Sequence, residues 1–197
     1  MLLRSGPTFE LALADYFRER LTEYGSTLNP APQEDTLWYL GDLLARFGHS
    51  DQVFCYEDGA LTLRPLALLY KDARETAQKR ERCLLLRQLG DLALFIGALF
   101  PENYARKGIK KDYFVGMGGG AYDYLAENSR THGHVFSELS AMFARLLDLV
   151  AKVCSKKNHF SAGDILGLYQ RYQATGDPYA AQQLQMLGIA LPGKHMH

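Results

Sequence analysis

The sequence contains few cysteines and carries no net charge, and each of these absences argues against a class of protein. Cys55, Cys83 and Cys154 are the three cysteines among 197 residues. A set this small, odd in number and widely spaced argues against a disulfide framework and against a structural zinc site. The 22 basic residues equal the 22 acidic residues in number, so no overall field attracts nucleic acid, and any anion site must be local.

The chain also lacks a long apolar run that is free of charges. The stretch from Leu84 to Phe100 approaches the length of a membrane span, but it contains Arg87, Gln88 and Asp91. Charges are costly at membrane depth, so this stretch predicts a buried core helix. The first residues show no long apolar run of the kind found in a secretory signal. We therefore expect a cytoplasmic protein without a membrane partner.

Motifs of the common catalytic and metal sites are missing. The sequence contains no GxSxG, no GxxxxGK[ST] and no HExxH, which are typical of hydrolases, phosphate-binding loops and zinc proteases. His132, His134 and Glu138 are the best metal candidates, but they do not complete a tetrahedral site. We interpret them as solvated residues at the start of a helix. The sequence thus favours a protein with no metal, no cofactor and no catalytic residues.

Apolar residues that recur at intervals of three and four predict an all-α fold. With 47% hydrophobic residues, the chain can bury a sizeable core in a single domain over residues 1–197. The pattern predicts a compact bundle of about seven helices, with a short flexible tail at the C terminus. The predicted helices cover residues 7–25, 33–47, 65 to about 78, 83–100, 113–127, 131–156 and 162–174, with a short one at 177–188. The helix that begins at residue 65 either breaks near Gln78 or continues with a bend into the helix over residues 83–100.

Two further patterns are less regular than the helices. Residues 53–63 place Asp58 and Gly59 between two short runs rich in β-branched and aromatic residues, which predicts a small β-hairpin. The fragments LGDLL at 40–44, LGDLA at 89–93 and AGDIL at 162–166 look alike. Their unequal separations do not establish a repeat, so we interpret the likeness as coincidence.

The most unusual segment is DYFVGMGGGAYDYLAE at residues 112–127, which has four glycines within five positions. Phe114, Met117, Ala121 and Leu125 keep the period of one helical face through the glycines. Four glycines in a helix cost roughly 3–4 kcal/mol relative to alanine. Close packing offsets such a cost, because a missing Cβ lets another backbone approach. We therefore interpret the segment as a helix that packs closely on its neighbours.

The alternative interpretation makes the same glycines part of an anion site. A helix that begins only at Ala121 would leave residues 116–120 as a nest of backbone N–H groups at its positive end. Such a nest suits a phosphate or a carboxylate. Basic residues upstream would supply counter-charge, and two tyrosines would shape the pocket. The predicted ligand-binding residues are Arg106, Lys107, Lys110, Lys111, Tyr113, Gly118, Gly119, Gly120 and Tyr122.

Arg87 and Asp91 are four residues apart on the most apolar predicted helix. This spacing lets them form an ion pair on one face, which we expect to be buried. Asp91 in an apolar pocket could instead serve as a general base. The sequence shows no second acid or base to work with it, so we interpret the pair as structural.

Two functional hypotheses follow from these patterns. The first is a non-enzymatic cytosolic interaction or regulatory protein, which acts through a helical surface on a partner protein or as a homo-oligomer. The second is a binding protein or enzyme for an anionic small molecule or nucleotide, held by residues 106–111 and 116–120. The backbone of the glycine-rich segment distinguishes them, because a continuous helix has no free amides for a ligand.

Overall fold

The computed structural model describes residues 7–49, 54–57, 60–63, 66–99, 108–154 and 162–178, together with residues 180, 181 and 184. The chain divides into two compact units. One comprises residues 1–50 and 153–197, and the other comprises residues 51–152. The expectation of a single domain over residues 1–197 stays a prediction, and the C-terminal tail and most of the last predicted helix lie outside the described residues.

The all-α prediction is confirmed, and the small hairpin accompanies the helices as an antiparallel strand pair with Phe54 opposite Leu63. Its predicted turn, residues 58–59, lies outside the described residues. The elements in chain order are α1 (Pro7–Gly25), α2 (Glu34–His49), β1 (Phe54–Glu57), β2 (Ala60–Leu63), α3 (Leu66–Glu75), α4 (Lys79–Leu99), α5 (Lys111–Phe114), a π-helical segment π1 (Val115–Gly119), α6 (Gly120–Asn128), α7 (Gly133–Ala141), α8 (Phe143–Val153) and α9 (Ala162–Thr175).

In the first unit, α1 and α2 pack against each other, and α9 also contacts α2. Pro7 is the first residue of α1 and Gly25 its last, as expected for residues that favour helix starts and ends. Leucines repeat along the inner face of each helix and are fully buried at Leu21 and Leu40. Apolar residues at helical spacing in the sequence thus form the buried faces of α1 and α2.

In the second unit, α4 is the central helix. Its residues from Leu89 to Ile96 are all buried. The helix α3, the segment π1 and the helix α6 each pack on α4, and α7 packs on α6. Because α4 has neighbours around most of its circumference, nearly every residue of its second half is apolar.

The sequence left open whether α3 and α4 are one helix, and the structure separates them at residues 76–78. No glycine or proline lies at this break. The guanidinium of Arg82 donates to the carbonyl oxygens of Ala73 at 3.1 Å and Thr76 at 2.7 Å. These bonds satisfy carbonyls at the C-terminal end of α3, which otherwise lack partners within the helix. A side chain from the next helix thus supports the end of α3.

The predicted helix over residues 131–156 is wrong in two respects. It consists of two helices, because residue Met142 adopts a turn between α7 and α8. The first of these helices, α7, begins at Gly133 and not at residue 131, and the residue before it is His132. His132 has the left-handed backbone angles φ 63° and ψ 22°, which a residue with a Cβ adopts rarely. The period of apolar residues continues through both features, so it could not reveal them.

Cys154, which follows the last residue of α8, provides a test of burial. Burial raises the pKa of its thiol from 9.0 to about 12, because a thiolate loses its water. We expect iodoacetamide at about pH 8.5 to modify Cys154 at least about 100-fold more slowly in the native than in the unfolded protein. Peptide mass spectrometry on a Cys55→Ser variant measures this, with the half-buried Cys83 as the internal comparison.

The sign of the pH dependence follows from the raised pKa of Cys154. Stability that depends on the neutral thiol is complete below the pKa of the unfolded chain, near 9.0, and is lost as pH rises through about 12. Native Cys154 that reacted as fast as Cys83 would contradict the burial of this residue.

Candidate functional site

Residues 111–128 form a continuous helix made of α5, π1 and α6, which we call the glycine helix. The N–H of Gly120 donates to the carbonyl oxygens of Gly116 and Met117. The N–H of Val115 likewise donates to the carbonyls of Lys111 and Asp112. The alternative in which a helix begins only at Ala121 is therefore wrong, and the backbone of residues 116–120 is not a nest of free N–H groups.

The inner face of the glycine helix contains Gly118 and Gly119, which are both buried. A Cβ placed on Gly118 would lie 2.2 Å from Cζ of Phe143 and 3.0 Å from Cβ of Ala93. No such contact is possible, so this glycine is required by the aromatic ring that lies over it. The carbonyl of Gly119 accepts a hydrogen bond of 3.0 Å from Oγ of Ser140. A Cβ on Gly119 would come no closer than 3.8 Å to a described atom, which is an ordinary contact. Close packing thus requires glycine at position 118 and not at position 119.

The outer face of the same helix contains Gly116 and Gly120, which are both exposed. A Cβ placed on either of them would meet no described atom within 4 Å. Each glycine costs about 1 kcal/mol in a helix relative to alanine, and packing among the described residues does not offset this cost. The two glycines are four residues apart, so they lie one above the other on one face. Packing within the described part of the chain leaves this pair unexplained.

Gly116 and Gly120 form part of a surface depression between α3 and the glycine helix, both of which pack on α4. We call it the glycine groove. Its volume is about 610 Å³, within the range of sites that bind small molecules or side chains of a partner. The lining residues are Tyr70, Ala73, Arg74, Arg82, Leu86, Gly116, Met117, Gly120, Ala121 and Tyr124.

The walls of the glycine groove combine aromatic, apolar and cationic side chains. Tyr70 is 44% exposed, and the guanidinium of Arg74 lies 6.0 Å from the centre of its ring. Among the described residues that line the groove, two are cationic and none is acidic. Tyrosine and arginine are among the side chains that most often dominate binding energy at protein interfaces.

The other predicted ligand-binding residues lie in different surroundings. Lys110 and Lys111 line a second depression of about 540 Å³, between the C-terminal half of α4 and α8. There Nζ of Lys111 forms an ion pair of 2.6 Å with Oδ1 of Asp148, so an acid already opposes this cation. Tyr113 is 38% exposed. Arg106 and Lys107 lie outside the described residues, and the assignment of all these residues to a ligand remains a prediction.

Tyr122 lies in the core and not in a described pocket. Its side chain is fully buried, and its hydroxyl donates a hydrogen bond of 2.8 Å to Oδ1 of Asp91, which is 3% exposed. A Cβ on Gly90 would lie 2.7 Å from Cε1 of Tyr122, so glycine at this position makes room for the ring. Arg87 is exposed, so the expectation of an ion pair buried at both ends is wrong.

The first unit contains a similar arrangement of a glycine, an aspartate and a long side chain. It lies at the Leu-Gly-Asp fragment that begins at residue 40. A Cβ on Gly41 would lie 2.5 Å from Cγ of Arg18, and Nη2 of Arg18 binds Oδ1 of Asp42 at 2.6 Å. In both fragments the glycine admits a long side chain from another helix, and the following aspartate binds the polar end of that side chain. The likeness of the fragments therefore reflects a shared packing solution, which the sequence analysis missed.

Among the residues that the structure describes, no three of His, Cys, Asp and Glu lie close enough to hold a metal ion. None of the described helices combines the length and apolar character needed to cross a membrane. No protein-family model, characterised protein or solved structure matches the chain.

Proposed function

We propose that the protein is a non-enzymatic interaction module whose glycine groove binds a helix of a partner protein. The observation that carries this proposal is the pair Gly116 and Gly120, which face open space at the floor of the groove. Glycines that cost stability without improving internal packing are expected where something from outside must approach closely. The absence of a Cβ at both sites allows the closest approach that a helix surface permits.

The spacing of the two glycines favours a helix as the occupant. Residues four apart lie on one ridge of a helix, so two glycines replace that ridge by a shallow channel along the axis. A partner helix with small residues at the contact fits such a channel, with its larger side chains on either side. Met117 and Tyr124 flank the channel, and methionine adapts its shape to a partner surface.

The positive charge of the glycine groove limits which partner helices can bind. Arg74 is exposed, and no ion pair with it occurs within the described ranges. Because the described lining contains two guanidinium groups and no carboxylate, the complementary helix carries an acidic residue beside its small residues. The side chain of Arg82 already supports the end of α3, so Arg74 is the arginine that a partner carboxylate would bind.

A library of displayed helical peptides tests the proposal. We expect selection on the protein to enrich helices with small residues four apart and with an adjacent Asp or Glu. Their affinity, measured by fluorescence anisotropy, should fall at least about tenfold in a variant with Gly116→Leu and Gly120→Leu. A Cβ at either position meets no described atom within 4 Å, and leucine is the better helix former, so stability should be kept or raised.

The matched control is Gly167→Leu, which also replaces an exposed helical glycine with open space around it, in α9. This variant should bind the selected peptides as the parent does. Arg74→Glu should lower the affinity for peptides that carry an acidic residue and raise the affinity for peptides that carry a lysine. Peptides that bind the groove-filled variant and the parent equally would contradict the proposal, and so would saturation of the groove by a second copy of the chain.

A further inference from the structure

A third depression, distinct from the glycine groove and from the depression at Lys110 and Lys111, lies between the first half of α4 and the loop that joins α6 to α7. We call it the basic cleft. Its volume is about 690 Å³, and it belongs entirely to the second unit. The lining residues are Lys79, Arg80, Cys83, Leu84, Arg87, Leu125, Asn128, Ser129, Arg130, Thr131, His132 and Phe136.

The basic cleft concentrates positive charge in a chain whose net charge is zero. Lys79, Arg80 and Arg87 come from α4, and Arg130 comes from the loop, while no described lining residue is acidic. Within the described part of the chain, Lys79, Arg80 and Arg130 make no ion pair. Uncompensated like charges repel one another and reduce stability. A bound anion removes that cost, which points to an anionic ligand.

The position of Arg130 is set by hydrogen bonds on both sides of it. The N–H of Ser129 donates to the carbonyl of Leu125 at 2.9 Å, and Oγ of Ser129 donates to the carbonyl of Thr131 at 2.5 Å. The carbonyl of Asn128 also accepts a hydrogen bond of 3.8 Å from Sγ of Cys83 on α4. The loop is thus held against the helix that supplies the other cations, so both sources of charge face one cleft.

The apolar part of the cleft limits which anions fit. Leu84 is 62% exposed at this site, although leucine is usually buried. Phe136 and Leu125 contribute buried apolar side chains to the same lining. A ligand that covers Leu84 gains hydrophobic energy in addition to its contacts with the cations. The cleft therefore suits an anion with an apolar or ring-shaped body better than a bare ion.

From this geometry we infer that the basic cleft is a binding site for a phosphate ester with an apolar body, held by Lys79, Arg80 and Arg130 with Leu84 against the body of the ligand. Guanidinium groups bind phosphate through paired hydrogen bonds. The α7 helix begins at the edge of this cleft after His132, whose side chain makes no capping hydrogen bond, so the positive end of the helix adds to the same field. This site is independent of the glycine groove.

The test uses phenyl phosphate, inorganic phosphate and phenol as probes in an NMR titration of the full chain. We expect phenyl phosphate to bind with 1:1 saturation, inorganic phosphate to bind about tenfold more weakly, and phenol not to bind. A variant with Arg80→Gln and Arg130→Gln should bind phenyl phosphate with an affinity at least about tenfold lower. Both arginines are exposed, so the variant should fold, and its melting temperature verifies this.

The control variant carries Arg145→Gln and Lys152→Gln, which remove the same number of charges from the exposed surface of α8, outside both the cleft and the glycine groove. It should bind phenyl phosphate as the parent does. Vesicles with phosphatidic acid, compared with the soluble ester, show whether the phosphate group belongs to a lipid or to a free metabolite. Binding that is equal in both variants, or a failure of phenyl phosphate to saturate any site, would overturn the inference.

Discussion

Replacing Gly118 by alanine should destabilise the protein by about 3 kcal/mol, because overpacking of a filled core typically costs 1–3 kcal/mol or more. The added methyl group would lie 2.2 Å from Cζ and 2.4 Å from Cε2 of Phe143, and Ala93 closes the other side. The ring cannot turn aside without losing its place beside Tyr122, whose ring centre is 5.9 Å away. Denaturant unfolding measures the change in the free energy of unfolding.

Gly120→Ala is the matched control for this prediction. The two glycines belong to one helix and are two residues apart, but a Cβ on Gly120 meets no described atom within 4 Å. Gly120→Ala should therefore raise stability by up to about 1 kcal/mol through helix propensity alone. In a Phe143→Leu background, where the ring is absent, Gly118→Ala should cost at least about 1 kcal/mol less. Equal effects at Gly118 and Gly120 would refute the close packing of the inner face.

Tyr122→Phe should destabilise the protein by about 2–3 kcal/mol, although it removes a single oxygen atom. The hydroxyl of Tyr122 donates to a carboxylate oxygen of Asp91, and both side chains are buried. A buried charged group that loses a donor bears a larger cost than a neutral one. Thermal and denaturant unfolding of the variant, at a pH near neutrality, measure this cost.

Tyr124→Phe is the control for Tyr122→Phe, because Tyr124 is a half-buried tyrosine two residues along the same helix. Loss of the Tyr124 hydroxyl should change the free energy of unfolding by less than about 0.5 kcal/mol. A double-mutant cycle with Asp91→Asn isolates the bond, and we expect a coupling of about 1 kcal/mol or more. A coupling near zero would show that Asp91 does not depend on the hydroxyl of Tyr122.

The helices were predictable wherever local signals determine them. Pro7 and Gly25 mark the ends of α1, and the run of apolar residues identifies α4. The break between α3 and α4 and the turn at Met142 were not predictable, since neither has a glycine or a proline. Hydrogen bonds from Arg82 support the break between α3 and α4. Such tertiary contacts cannot be recognised from the local sequence.

The candidate sites were less predictable than the fold. The sequence singled out the glycines of residues 116–120, but it could not divide them between two faces, because the partners of the inner face, Phe143 and Ala93, come from distant segments. The basic cleft was not predictable for the same reason, since its cations come from residues 79–87 and from Arg130, which only the fold brings together. The Leu-Gly-Asp fragments were visible, and only the structure showed what they share.

The π-helical geometry of residues 115–119 fixes how the two ends of the glycine helix are oriented. Hydrogen bonds in such a segment reach one residue farther than in an α-helix, and one residue corresponds to about 100° of rotation. Phe114, before the segment, lies against Gly97 of α4, while Tyr122, after it, reaches Asp91. Removing one residue from this segment would turn either Phe114 or Tyr122 toward solvent. The number of residues in the segment is therefore as constrained as their identity.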